Sequence, residues 1–143
     1  DAYTRQIKIQ HKNVQVSPCG LFVMAGKAYM DVSPDGLVEG DCCGQGLVEI
    51  KCPLTSAHTV PGPSNLPYLK SDDKAKIHLS RSHLYYSQVQ HQIGVTGRSF
   101  FVYSRHGSIL ERMNQDKDRW AELSDASKYF FRKHVPPYMI ANK

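Results

Sequence analysis

A chain of 143 residues, 41% hydrophobic and 22% charged, is long enough to bury one core and has the composition of a globular domain. No apolar run approaches the length needed to span a bilayer, and no signal-peptide pattern opens the chain, so a helical membrane protein is excluded and the expectation is an intracellular one, nuclear if its source is eukaryotic. Lys and Arg outnumber Asp and Glu 18 to 13, a formal charge of +5 that suits a polyanionic partner without requiring one.

Ala2, Tyr3 and Ile7 are spaced for one face of a helix ending near Gln10. Val14–Val16 and Gly20–Met24 read as short strands broken by Ser17-Pro18, and Lys27–Val32 as an extended run into the corner Pro34-Asp35-Gly36. Two apolar runs follow, Leu37-Val38 and Leu47-Val48, separated by Gly40, Asp41, Gly44 and Gly46, the signature of a hairpin. On its second strand the period of two places Glu49 and Lys51 on one face and Val48, Ile50 and Cys52 on the other, which reads as core. If the excursion folds back on itself, Asp35 comes beside Glu49. Two carboxylates converging with a lysine suit a hard divalent cation such as Mg2+ or Mn2+, which takes one or two carboxylates and leaves positions for phosphate oxygens. The plainer reading is a solvated ion pair beside a common turn. Taken alone, the stretch leaves the two readings evenly matched.

Pro53, Pro61, Pro63 and Pro67, with Gly62, Ser64 and Asn65, rule out a central strand and predict a surface loop over Thr55–Leu69. Tyr68-Leu69 and Ile77–Leu79 flank the polar turn Lys70–Lys74, a small hairpin. Lys70, Lys74, Lys76 and Arg81 make this region basic, either as a solvated loop or as a contact to a phosphate backbone. Ser82–Val95 is the clearest helix, with Ser82 as its N-cap and Gly97 past its end. Tyr86, Val89 and Ile93 form its apolar stripe, Gln88 and Gln90 lie about 100° to either side of Val89, and Tyr85, Gln88 and Gln92 make a polar-aromatic stripe beside the core. Glutamines on a helix flank are usually solvated, yet an amide that donates and accepts can hold a metal-bound water or a phosphate oxygen.

Ser99–Ser104 and Ser108–Met113 are strands of a hairpin joined through Arg105-His106-Gly107. Asp116–His134 closes the chain as a helix with Trp120, Leu123, Tyr129, Phe130 and Phe131 as apolar anchors, and Pro136-Pro137 stops it. Cys19, Cys42, Cys43 and Cys52 lack the paired spacing of a zinc site and read as partly buried thiols. The seven histidines are scattered; His83 and His91, two helical turns apart, cannot chelate one ion between them.

Three blocks in order, SPDGLV from Ser33, GLVEIKCP from Gly46 and YYSQVQHQIGVTG from Tyr85, resemble the YqaJ-like viral recombinase group of the PD-(D/E)XK nuclease superfamily, to which lambda-type and alkaline exonucleases belong. The similarity runs from about Val14 to Trp120. It implies an α/β (α+β) fold, a restriction-endonuclease-like core of a central mixed sheet flanked by helices, with residues 1–143 forming a single nuclease domain that lacks its amino-terminal helical part. It implies Asp35 and Glu49 as metal carboxylates, the carbonyl of Ile50 as a further ligand, Lys51 as the catalytic lysine and Gln88 as the helix glutamine of the site, with Gln90 and Tyr85 at its edge. The implied reaction is Mg2+- or Mn2+-dependent phosphodiester hydrolysis, 5′ to 3′ on duplex DNA ends in recombination or end processing. Implied partners are DNA, further copies of the chain in a trimer, and a single-strand annealing protein. Alternatives within the resemblance are an endonuclease, an RNA-degrading nuclease and a catalytically inactive nucleic-acid-binding module. One departure stands out: relatives carry an upstream glutamate in the acidic site, whereas no Glu precedes Glu39 here and Asp31 is a weak substitute.

Overall fold

A computed structural model describes residues 12–41, 44–51, 59–104 and 111–141. The helix expected before Gln10, the link at 105–107 and Cys42, Cys43 and Cys52 lie outside them. Strands β1 (Gln15–Ser17), β4 (Gly36–Gly40), β5 (Gly44–Lys51), β8 (Ser99–Ser104) and β9 (Glu111–Met113) form one mixed sheet in the order β1-β4-β5-β8-β9. Among the described residues only the β5–β8 pair is parallel. Parallel neighbours require a crossover, and here it contains the hairpin β6 (Leu69–Ser71) and β7 (Ile77–Leu79) and the helix α1 (Leu84–Thr96). The expected mixed sheet with helices is therefore the observed architecture. β2 (Phe22–Val23) and β3 (Asp31–Val32) pair separately. The extended run expected over Lys27–Val32 is shorter than that: hydrogen bonds between Met24, Lys27 and Met30 close a tight turn, with Gly26 at φ +73°, and only its last two residues are strand.

β5 is the central strand, and its burial departs from a simple inside–outside alternation. Leu47 belongs to the main core with Leu66, Tyr68, Leu69, Leu79, Tyr86, Val89, Ile93 and Met113, while Val48 on the reverse face is 1% exposed. Both faces are covered, as expected for a strand with a parallel neighbour. The face shared by Leu47, Glu49 and Lys51 is the one that looks toward α1. Gly36 permits this packing: a Cβ there would stand 3.0 Å from the Ser17 carbonyl oxygen and 3.1 Å from Val48 Cγ1.

The apolar stripe Tyr86, Val89 and Ile93 is buried on the sheet as expected. The N-cap is His83 rather than Ser82. The imidazole Nδ1 accepts the Tyr85 N–H at 3.1 Å, while the Ser82 hydroxyl pairs with that of Ser80. Gly97 ends the helix at φ +68° and donates its N–H to the Ile93 carbonyl.

The last helix, α2 (Lys117–Ala141), is entered through Asp116, whose Oδ1 accepts the Arg119 N–H. It crosses α1 where Gly94 admits the Trp120 indole. Two expectations fail on α2. The helix runs through Pro136 and Pro137 instead of stopping, and Tyr129 and Phe130 are 63% and 60% exposed rather than anchoring. The carbonyls of Arg132 and Lys133, which the prolines leave without an N–H partner, belong to exposed residues that water can reach. Phe131 does anchor, stacking on Tyr29 at 4.8 Å.

Tyr86 ties the two helices together, its O–H donating to Asp116 Oδ2 at 2.7 Å. Burial, and then this bond, push the tyrosine hydroxyl from 10.0 up to about 12. The same bond, with the Arg119 N–H, holds the Asp116 carboxyl below its usual 3.8.

Two outcomes follow. Gly94→Ala gains about 1 kcal/mol of helix propensity but sets a Cβ 2.0 Å from Trp120 Cε3. The overpacking dominates, and urea denaturation is expected to show a net loss of about 1–3 kcal/mol. For Tyr86, the unfolded chain ionises first, so its stabilising contribution is full below pH 10 and is lost as pH rises toward 12. The Asp116 contribution is present above pH 3.8 and is lost as pH falls. Tyr86→Phe is therefore expected to flatten the stability profile at both ends, read by urea midpoints from pH 3 to pH 11.

Candidate active site

The site forms where the β4–β5 ladder ends and α1 passes over the end of β5. β4 begins at Gly36, and one residue earlier Asp35 takes over the pairing. Its N–H donates to the Val48 carbonyl at 3.1 Å, and its Oδ2 accepts the Ile50 N–H at 2.7 Å. The N–H and C=O of an extended residue point to the same edge of the strand, so the Ile50 carbonyl is directed to the Asp35 side. Asp35 is exposed.

Glu49 lies on the α1 face of β5 and is 6% exposed. A carboxylate so far from water needs donors, and three side chains supply them. Lys51 Nζ and Gln88 Nε2 each donate to Oε1 at 2.7 Å, and Gln92 Nε2 donates to Oε2 at 3.1 Å. Lys51 Nζ also donates to Gln88 Oε1 at 2.9 Å, closing a triangle of Glu49, Lys51 and Gln88. The ammonium stands 4.3 Å from the centroid of the Tyr85 ring, a cation–π contact. Tyr85 is in turn held edge-on by Tyr68 and His83 at 4.9 and 4.8 Å.

Asp35, Glu49, Ile50, Lys51, Gln88 and Tyr85 are thus brought to one place, from β5, the residue that leads into β4, and one helix face. Gln90 is not. It lies about 200° round α1 from Gln88, is fully buried, donates to the Asn114 carbonyl and accepts the Asp116 N–H. It fastens α1 to the turn before α2. The residue that takes the place intended for it is Gln92. The signal was present in the sequence as the stripe Tyr85, Gln88, Gln92: residues at i and i+4 lie one above the other, and here both reach Glu49.

The basic residues also divide. Lys70, Lys74 and Lys76 are exposed on the β6–β7 hairpin, whose turn is built on Asp72 accepting the Lys74 and Lys76 N–H groups. Lys76 and Arg81 border a cavity of about 570 Å3 that reaches Tyr86, Gln90, Glu111 and Asp116, on the side of α1 away from Gln88. Glu111 there accepts the Leu79 N–H, and burial raises its carboxyl above the ordinary value.

The donor set fits a hard divalent cation. Asp35 Oδ2 is taken by the Ile50 N–H, Oδ1 has no hydrogen bond among the described residues, Glu49 is the next residue along β5 from Ile50, and the Ile50 carbonyl is directed to the Asp35 edge. Among the described residues no third His, Cys, Asp or Glu completes a metal-holding group. Asp31 stays apart on β3, exposed, where its charge bears on His91. Cys19, next to this corner, is half-buried and donates its thiol to the Pro34 carbonyl at 3.3 Å; burial raises its pKa. No helix among the described residues is long and apolar enough to cross a membrane.

No curated protein is matched by the sequence. Among solved structures, the chain is similar to LHK-Exo, an alkaline exonuclease from Laribacter hongkongensis, at 27% identity over 94% of this chain and 69% of that one, with a TM-score of 0.50. The complex of LHK-Exo with dAMP is similar over the same shares at 27% identity and a TM-score of 0.52. The core is thus of the PD-(D/E)XK type. The YqaJ-like viral recombinase domain matches residues 1–99, more than half of the chain. With that span containing Asp35 and the strand and helix that build the Glu49 cluster, the chain belongs to the YqaJ-like viral recombinase family.

Proposed function

We propose that residues 1–143 form a single nuclease domain that hydrolyses phosphodiester bonds of DNA with Mg2+ or Mn2+. The observation that carries this reading is the buried Glu49 carboxylate, held by Lys51 and Gln88 beside Asp35. A structural ion pair would not need a second carboxylate at the strand end or a helix glutamine bonded to both partners.

Asp35, Glu49 and the Ile50 carbonyl would hold the cation, which when bound supplies Lewis-acid polarisation of a phosphate oxygen and a lowered pKa for a coordinated water. Lys51 neutralises charge developing on the phosphorane oxygens or orients the attacking water. Its position is set by Glu49, Gln88 and the Tyr85 ring, so it enters the reaction already oriented. Gln88, exposed at the rim, can pass its amide from Lys51 to a water or a phosphate oxygen, since it both donates and accepts. Lys70 and Lys74 on the hairpin supply sequence-independent contacts to the backbone of the nucleic acid, and Lys76 and Arg81 add to them from the cavity on the side of α1 away from Gln88.

The exonuclease name of the structural neighbour supports attack at DNA ends, 5′ to 3′ on duplex by the family resemblance, in recombination or end processing. The dAMP bound to that neighbour is a deoxynucleotide, which supports DNA over RNA. One observation favours a catalytically inactive binding module instead: the described residues contain no third carboxylate at the site.

End-labelled linear duplex with Mg2+ or Mn2+ separates these readings. The wild-type chain is expected to release mononucleotides, and Lys51→Ala to slow release about 10²–10⁴-fold while the protein stays folded. An inert wild type, or a Lys51→Ala variant as fast as wild type, rejects the nuclease. Cleavage of circular duplex or of RNA would assign one of the other nuclease classes.

A further inference from the structure

We propose that Gln92 is a positioning residue, fixing the Glu49 carboxylate from its buried side so that the cation meets it in one orientation. The inference rests on the nuclease reading of the Glu49 cluster and adds to it a residue outside the quartet Asp35, Glu49, Lys51 and Gln88.

Gln92 is 3% exposed, and its Nε2 donates to Glu49 Oε2. Its own Oε1 is buried with no hydrogen-bond partner among the described residues. An amide with one good bond and one unsatisfied carbonyl is a poor core residue, since a buried acceptor without a donor is destabilising. Leucine, of similar volume, would serve the packing between Val89 and Ile93 better. What no apolar side chain could do is hold Oε2.

The three donors to Glu49 are not equivalent. Lys51 and Gln88 both act on Oε1, and Gln88 is exposed. These are the groups that change partners when cation, water and phosphate arrive. Gln92 approaches from the interior on the other oxygen, where nothing displaces it. It is also neutral. A cation in its place would offset the carboxylate charge and weaken the attraction for a metal, whereas an amide orients the group and leaves that charge available. Outer partners of metal ligands act in this way, and removing one typically costs 10–100-fold in affinity.

Calorimetric titration with Mn2+ tests the inference on the wild type, Gln92→Leu, Gln92→Met and Glu49→Gln, alongside melting temperatures and hydrolysis rates at rising Mn2+. Both Gln92 variants are expected to bind Mn2+ about 10- to 100-fold more weakly, to stay folded at the titration temperature with a fall in melting temperature too small to explain that loss, and to regain rate as Mn2+ is raised. Met supplies a second, more adaptable side chain should Leu disturb folding. Unchanged Mn2+ affinity in a folded Gln92 variant overturns the inference alone. A fall in melting temperature in both variants that accounts for the weaker binding marks a structural role and also overturns it. Wild-type Mn2+ binding that is insensitive to Glu49→Gln would remove the metal site itself, and the inference with it.

Discussion

A carboxylate kept from water is the constraint around which this molecule is arranged. Glu49 is 6% exposed on a strand covered on both faces, and a charge in that position is tolerable only with several donors converging on it. Lys51 comes from the same strand, two residues on. Gln88 and Gln92 come from a helix that must cross the strand end at the correct height. The crossover that permits a parallel β5–β8 pair is also what delivers that helix. Fold and site are thus not separable here: the topology that buries Leu47 and Val89 brings two amides to one carboxylate.

Much of this could be read in the sequence because it depends on local periodicities. The period of two on β5 set Glu49 and Lys51 side by side, and the 3.6-residue repeat of α1 grouped Tyr85, Gln88 and Gln92. The Pro-Asp-Gly corner and the glycines after it gave the hairpin. Two positions escape these local rules. Gln90 follows the same motif as Gln88, but two residues are more than half a turn of helix, and only the position of the following Asn114–Asp116 turn decides where it bonds. Likewise Ser82 is the better N-cap by residue type, and His83 takes the role because its ring lies in the aromatic group with Tyr68 and Tyr85. These outcomes depend on contacts from distant parts of the chain, which no local window contains.

The apolar spacing of the last helix was also a poor guide. Trp120 and Phe131 meet Gly94 and Tyr29, whereas Tyr129 and Phe130, just as apolar, face water. A hydrophobic stripe states that a helix could pack, and the partner surface decides how far along its length it does.

The Gly94–Trp120 contact bears on the chemistry from behind. On the helical repeat Gly94 lies about 160° from Gln92, so the indole sits against the back of α1 while the glutamines face Glu49. At a side-chain radius of about 5 Å, rolling α1 by 20° would move an amide about 2 Å, enough to break either glutamine bond to Glu49. A flat aromatic ring seated in a notch without a side chain resists that roll as a key resists turning in its slot. α2, which contributes no side chain to the cluster, thereby sets the angle at which the glutamines are presented.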